Sequence, residues 1–222
     1  MNPTLLALGV DPATHSGLAL VSLDTRTGEA ALVGVWAVYG EGQRAWCGRA
    51  FAALLDAADR VRDLTPPDYG SLPAWYERPA PARPGEVVWD PCPMAMRAGA
   101  ILMAAQVAGL RVAYQPVSTS QWTAGARVRA GKQGDGSHRI EEAAARIELA
   151  GAELAALDHC RVDCAEAALI ALACARAEAE RRMGGRQIPL ASSNSNTSIA
   201  RGQGRGPVWG DPAPSHFLPD RS

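Results

Sequence analysis

The chain has 222 residues, a formal net charge of −1 and 47% hydrophobic residues. That length accommodates one α/β domain with a sizeable core, and the sequence holds no uncharged apolar run long enough for a spanning helix. The near-neutral balance carries no global sign of nucleic-acid binding, so the distribution of charge matters more than its sum.

The start, MNPTLLALGVDPATH, lacks a basic region and a small-residue cleavage site, so no signal peptide is read and a cytoplasmic location is expected. The cysteines, Cys47, Cys92, Cys160, Cys164 and Cys174, are odd in number and irregularly spaced. Cys160 and Cys164 lie beside His159, but no CxxC pair or second half-site accompanies them, so reduced thiols are expected rather than zinc.

In chain order, LLALGVD (5–11) reads as a central strand, apolar on both faces. SGLALVSLD (16–24) and ALVGVWAVY (31–39) are two more strands, and the short connections predict an antiparallel meander. Residues 42–64 place Ala45, Phe51, Leu54, Leu55, Ala58 and Val61 at helical spacing. After the loop TPPDYGSLP, AWYE (74–77) is a short fourth strand, broken at once by RPAPARPG. A helix over 92–110, with Gly109 near its end, leads to a fifth strand, RVAYQPV (111–117).

STSQWTAGA opens on capping residues and suggests a short helix. A Gly-rich charged loop (127–137) precedes a helix over 137–149 capped by Ser137, and VDCAEAALIALACARAEAERRM (162–183) is a long Ala-rich helix. From Gly184 to Ser222, Gly, Ser, Asn and Pro dominate without a period, and a disordered tail is expected beyond a single domain at 1–183. The succession predicts an α/β fold, a mixed five-stranded sheet flanked by helices, and resembles a ribonuclease H-like domain.

Four acids fall where such a fold would gather them. Asp11 ends the first strand, Glu77 ends the fourth, and Asp163 and Glu166, three apart, share one face at the start of the last helix. Parallel pairing of strands one and four would carry Asp11 and Glu77 to the same sheet edge. Acids so grouped repel unless cations share the site. Two Mg²⁺ ions accept such oxygen ligands and support in-line phosphodiester displacement. Taken singly, Asp11 is also an ordinary turn former, Glu77 a solvated strand end, and Asp163 and Glu166 helix-start acids that suit the dipole.

With these residues in view, LGVDPATHSGLAL and DCAEAALIALA resemble the opening turn and final helix of RuvC-type Holliday junction resolvases. YERPAP, GAILMAAQVAG, VSTSQW, KQGDGSHR and DHCRVDCAEAALIA are similar to the chloroplast branch of that family. The resemblance spans roughly Leu5 to Ala177. It implies that Asp11, Glu77, Asp163 and Glu166 bind two Mg²⁺ ions, with Mn²⁺ able to substitute, and that a homodimer cuts four-way junction DNA symmetrically. Asp158 competes with Asp163 for the third ligand position.

His159 is a candidate for positioning water or phosphate near the metals. Arg127, Arg129, Arg139, Ser137 and Lys132, the chain's sole lysine, are candidate DNA contacts, because backbone positioning needs charge and no sequence code. Trp75 and Trp122 read as core residues; Trp89 reads as packing, with base stacking as the alternative. A related nuclease acting on RNA or an R-loop, or a junction-binding module without chemistry, are the competing functions.

Overall fold

The computed structural model describes residues 4–13, 15–65, 70–78, 92–129 and 136–184. Lys132, Trp89 and the tail beyond Gly184 lie outside the described residues.

Three strands, β1 (Thr4–Asp11), β2 (Ser16–Asp24) and β3 (Ala30–Val38), form the expected antiparallel meander. The helix α1 (Gln43–Leu64) leads to β4 (Leu72–Glu77), and α2 (Cys92–Val107) leads to β5 (Val112–Val117). Both of these strands run parallel to β1, in the sheet order β3-β2-β1-β4-β5. The short α3 (Thr119–Ala126), α4 (His138–Ala144) and α5 (Ala150–Ala155) precede the long α6 (Arg161–Gly184). The mixed five-stranded α/β sheet is therefore as the sequence predicts.

Alternation along the strands sorts the core into two layers. Leu6, Leu8 and Val10 of β1, with Leu72 and Ala74 of β4, pack against α1 and α2. Leu5 and Ala7 of β1, with Ala19 and Val21 of β2, pack against α6 and the short helices. Trp122 is fully buried in this second layer and Trp75 packs half-buried against it. Among the described residues no helix is long and apolar enough to cross a membrane.

Three boundaries differ by more than one residue from the sequence reading. β4 begins at Leu72 rather than residue 74, although Pro73 lacks a backbone donor. The ladder to β1 starts only at Ala74, so the missing N–H interrupts nothing on that side. The expected helix over 92–110 stops at Val107, and Gly109 (φ 82°) takes the left-handed conformation that ends it.

The helix expected over 137–149 also ends early. Residues Ile147 to Leu149 leave it because Glu148 pairs with the outer edge of β3. Its N–H donates to Ala30 O (2.8 Å) and its carbonyl accepts from Leu32 N–H (3.0 Å). Leu149 then turns through φ 68°, and the unanticipated α5 begins. Covering part of an edge strand in this way satisfies backbone groups that would otherwise face outward. Ser137 sits at the N-cap of α4 with an already helical backbone, and its side chain makes no capping bond.

Candidate metal centre

β1 and β4 pair in parallel through Leu8↔Ala74, Gly9↔Trp75 and Val10↔Tyr76. One residue further along, Asp11 and Glu77 stand side by side. Since Leu8, Val10 and Ala74 face α1 and α2, the alternation of a strand turns both carboxylates toward α6. The turn after Asp11 is tied by the Ser16 hydroxyl, which donates to Ala13 O (2.7 Å).

α6 supplies the third acid because it lies almost backbone-on-backbone against the sheet. A β-carbon at Gly9 would meet Ala167 O at 2.0 Å, and one at Gly17 would meet Asp163 O at 2.2 Å. With no side chain at these positions, the first turns of α6 settle onto β1 and β2. Glu166 then joins Asp11 and Glu77, with one carboxylate oxygen from each lying within 4.8 Å of the others.

Asp11 and Glu166 are only 4% and 2% exposed, and Glu77 is half-buried. Glu77 accepts a hydrogen bond from the hydroxyl of Thr119. α3 is held in place for this contact by a reciprocal capping box between Ser118 and Gln121. On the other side, Arg139 Nε lies 3.5 Å from Glu166 Oε1. Three carboxylates brought so close repel one another, and Arg139 offsets part of their charge. An all-oxygen, anionic donor set of this kind suits a hard divalent cation.

Asp163 occupies the first turn of α6, half-buried, one turn before Glu166, but is not among the three that converge. Asp158 is exposed and lines an open groove between β3 and α1. His159 lines the same groove, its ring edge-on to Tyr39 at 5.3 Å, with Arg49 over that tyrosine at 4.2 Å. It does not join the converging acids. Burial, followed by the charge of Asp163, pushes the Cys160 thiol up to about 11, which keeps it protonated at neutral pH.

Arg127, Arg129 and Ser137 are exposed, and lie on either side in sequence of the segment that contains Lys132. Arg139, expected as a phosphate contact, is placed differently. Its side chain is 0% exposed and cannot meet a DNA backbone in this structure. Its Nη1 donates to Arg129 O and to Glu142 Oε2, both at 2.9 Å, and its guanidinium lies 4.9 Å from the Trp122 ring centroid. Glu142 in turn accepts from the Arg129 N–H at 3.1 Å. Burial raises the Glu142 carboxyl, but the Arg129 amide and the Arg139 guanidinium outweigh that and hold it below the ordinary range.

Sequence reasoning missed Thr119 and the inward role of Arg139. Thr119 was legible in part. β4 and β5 pair in parallel through Glu77↔Val117, so the helix opened by the STSQ capping box begins beside Glu77.

The fold is thus a mixed five-stranded α/β sheet with two carboxylates at the ends of its central strands and a third on the helix packed over them. Among solved structures, the chain is similar to Thermus thermophilus RuvC, with 22% identity over 81% of this chain and 97% of that one, at TM-score 0.53. T. thermophilus RuvC in complex with a Holliday junction substrate matches at 21% identity with the same coverage and TM-score. The yeast mitochondrial Holliday junction resolvase Ydc2 aligns at 12% identity over 78% of this chain and 80% of its own, at TM-score 0.43. At these identities the likeness to the two RuvC structures shows the fold alone. No protein-family model and no curated protein matches the sequence.

Proposed function

We propose that this chain is a metal-dependent endonuclease that cuts four-way DNA junctions as a homodimer. The observation that carries the reading is the convergence of Asp11, Glu77 and Glu166 within 4.8 Å at one sheet edge of a fold shared with RuvC. One of the similar structures was determined with a Holliday junction substrate bound.

Asp11 and Glu77 would hold Mg²⁺ from rigid strand ends and Glu166 from the helix above, with Asp163 completing the ligand set from the turn before; Mn²⁺ can take the same oxygens. When bound, such ions supply a nucleophilic water at neutral pH and neutralise charge on the attacking and leaving oxygens. The chain's own contribution is to fix the carboxylates before substrate arrives. Burial limits competing water, and the Thr119 hydroxyl restrains the Glu77 carboxylate.

The exposed Arg127, Arg129 and Ser137, together with Lys132, would engage phosphates and fix register without reading sequence. The homodimer is supported by α2, where Met96, Met103 and Val107 recur at helical spacing and stand 57%, 62% and 70% exposed. An apolar row of that kind marks an interaction face.

The test is cleavage of a labelled synthetic four-way junction with Mg²⁺, resolved by strand, for the wild type, Asp11→Asn and Glu77→Gln. Symmetric nicks in the junction and loss of cutting in both variants are expected. Equal cutting of linear duplex, better competition by an RNA–DNA hybrid, or activity retained in Asp11→Asn would overturn the reading.

A further inference from the structure

We propose that Arg139 is the positioning residue for the Glu166 carboxylate, an internal cation that presets the acid trio; the inference rests on reading that trio as a metal centre. A guanidinium taken wholly out of water is strongly disfavoured unless it is paired and hydrogen-bonded. It also keeps its proton at any relevant pH. Arg139 is 0% exposed, so the groups around it must pair that charge.

Nη1 donates to Glu142 Oε2 and Arg129 O, both at 2.9 Å, and the guanidinium lies 4.9 Å from the centroid of the buried Trp122 ring. Glu142 is itself anchored by the Arg129 N–H at 3.1 Å. These contacts fix the guanidinium, and its Nε lies 3.5 Å from Glu166 Oε1. A fixed positive charge at that distance draws the Glu166 carboxylate to one place beside Asp11 and Glu77.

Groups that orient a metal ligand from outside are typically worth about ten- to a hundredfold in metal affinity. A purely structural Arg139–Glu142 pair would give no such effect. If Arg139 served only to cancel charge, its loss would tighten cation binding instead.

Two measurements on the full chain decide the matter without DNA. The first is a double-mutant cycle of Arg139→Gln and Glu166→Gln, read as the unfolding equilibrium of the metal-free protein. Arg139→Gln should shift that equilibrium about tenfold more in the wild-type background than beside Glu166→Gln. Additive effects overturn the proposal.

The second is calorimetric titration with Mn²⁺. Arg139→Gln should weaken binding about tenfold, with Arg139→Lys, which keeps the charge without the planar fork, in between. Unchanged or tighter binding overturns the proposal, and Arg139→Lys carries the test alone if the glutamine variant does not fold. A wild type that binds Mn²⁺ but leaves junctions uncut defeats the nuclease reading and spares this one. A wild type that takes up no Mn²⁺ defeats the metal reading, and the cycle still decides whether Arg139 holds Glu166.

Discussion

Gly9 of β1 and Ala167 of α6 touch so closely that a β-carbon on the glycine would lie 2.0 Å from the Ala167 carbonyl oxygen and 2.5 Å from the Ala171 nitrogen. Both clashing atoms belong to helix backbone, which cannot swing aside as a flexible side chain does. Gly9→Ala should therefore lift α6 from the sheet. The expected cost is about 3 kcal/mol, at the upper end of overpacking, or roughly 6–12 °C in Tm. Cleavage should fall as well, because Glu166 moves with the helix. Gly48→Ala is the control: nothing lies within 4 Å of its added carbon, and at this exposed helical position it should stabilise by roughly 0.5–1 kcal/mol. Thermal unfolding of both variants checks the opposite signs.

Asp11 should show opposite effects on stability and activity. Asp11→Asn removes one of three mutually repelling carboxylates. The metal-free protein should then gain about 1 kcal/mol, or roughly 2–4 °C in Tm. Junction cleavage should drop by about a thousandfold or more, since a lost metal ligand is worth several kcal/mol in the transition state. Calorimetry without added metal and single-turnover cleavage measure the two sides.

Thr119 holds Glu77 through its hydroxyl. Thr119→Val keeps the shape and removes the donor, at a cost of about 1 kcal/mol in stability. Cleavage should fall several-fold, far less than in Glu77→Gln. An effect as large as that of Glu77→Gln would mean the hydroxyl does more than restrain the carboxylate.

The Glu142 carboxyl is held below its ordinary value of 4.5. A depressed acid contributes stability above the unfolded value and loses it as pH falls through the folded one. Glu142→Gln should therefore lower Tm at pH 7. The gap from wild type should narrow as pH drops below about 4.5. Melting curves of both proteins from pH 7 to pH 3.5 test the sign.

Arg127 and Arg129 are exposed and proposed as phosphate contacts. In a Glu77→Gln background, replacing either by Gln should weaken junction binding whatever the junction's sequence. Each should also reduce the salt slope of log affinity by about one. Binding isotherms at several salt concentrations decide it, and an unchanged slope removes that arginine from the interface.

Much of this was legible in the residues themselves. Short apolar runs bounded by turn residues placed β1, β2 and β3, and a long Ala-rich apolar stretch placed α6, because an element buried on more than one face reads as a continuous apolar segment. That Asp11 ends one strand and Glu77 another was equally plain. The start of β4 was hidden because Pro73 looks like a breaker until the strand's pairing is known. The end of the helix before Ile147 was hidden because Glu148 answers to the edge of β3, far away in sequence.

Local pattern therefore determined which segments become strands and helices, and which of them carry an acid at an end. Tertiary structure alone decided which acids meet and which basic residues face outward. Asp11 and Glu77 share a face through inter-strand register, Glu166 reaches them because two glycines let a helix backbone rest on the sheet, and Asp163, three residues earlier, stays outside the trio. Arg139 and Arg129 read alike in sequence, yet one is sealed in the core and the other exposed. Charge and period are properties of a segment, whereas burial and distance arise only when segments from distant parts of the chain pack together.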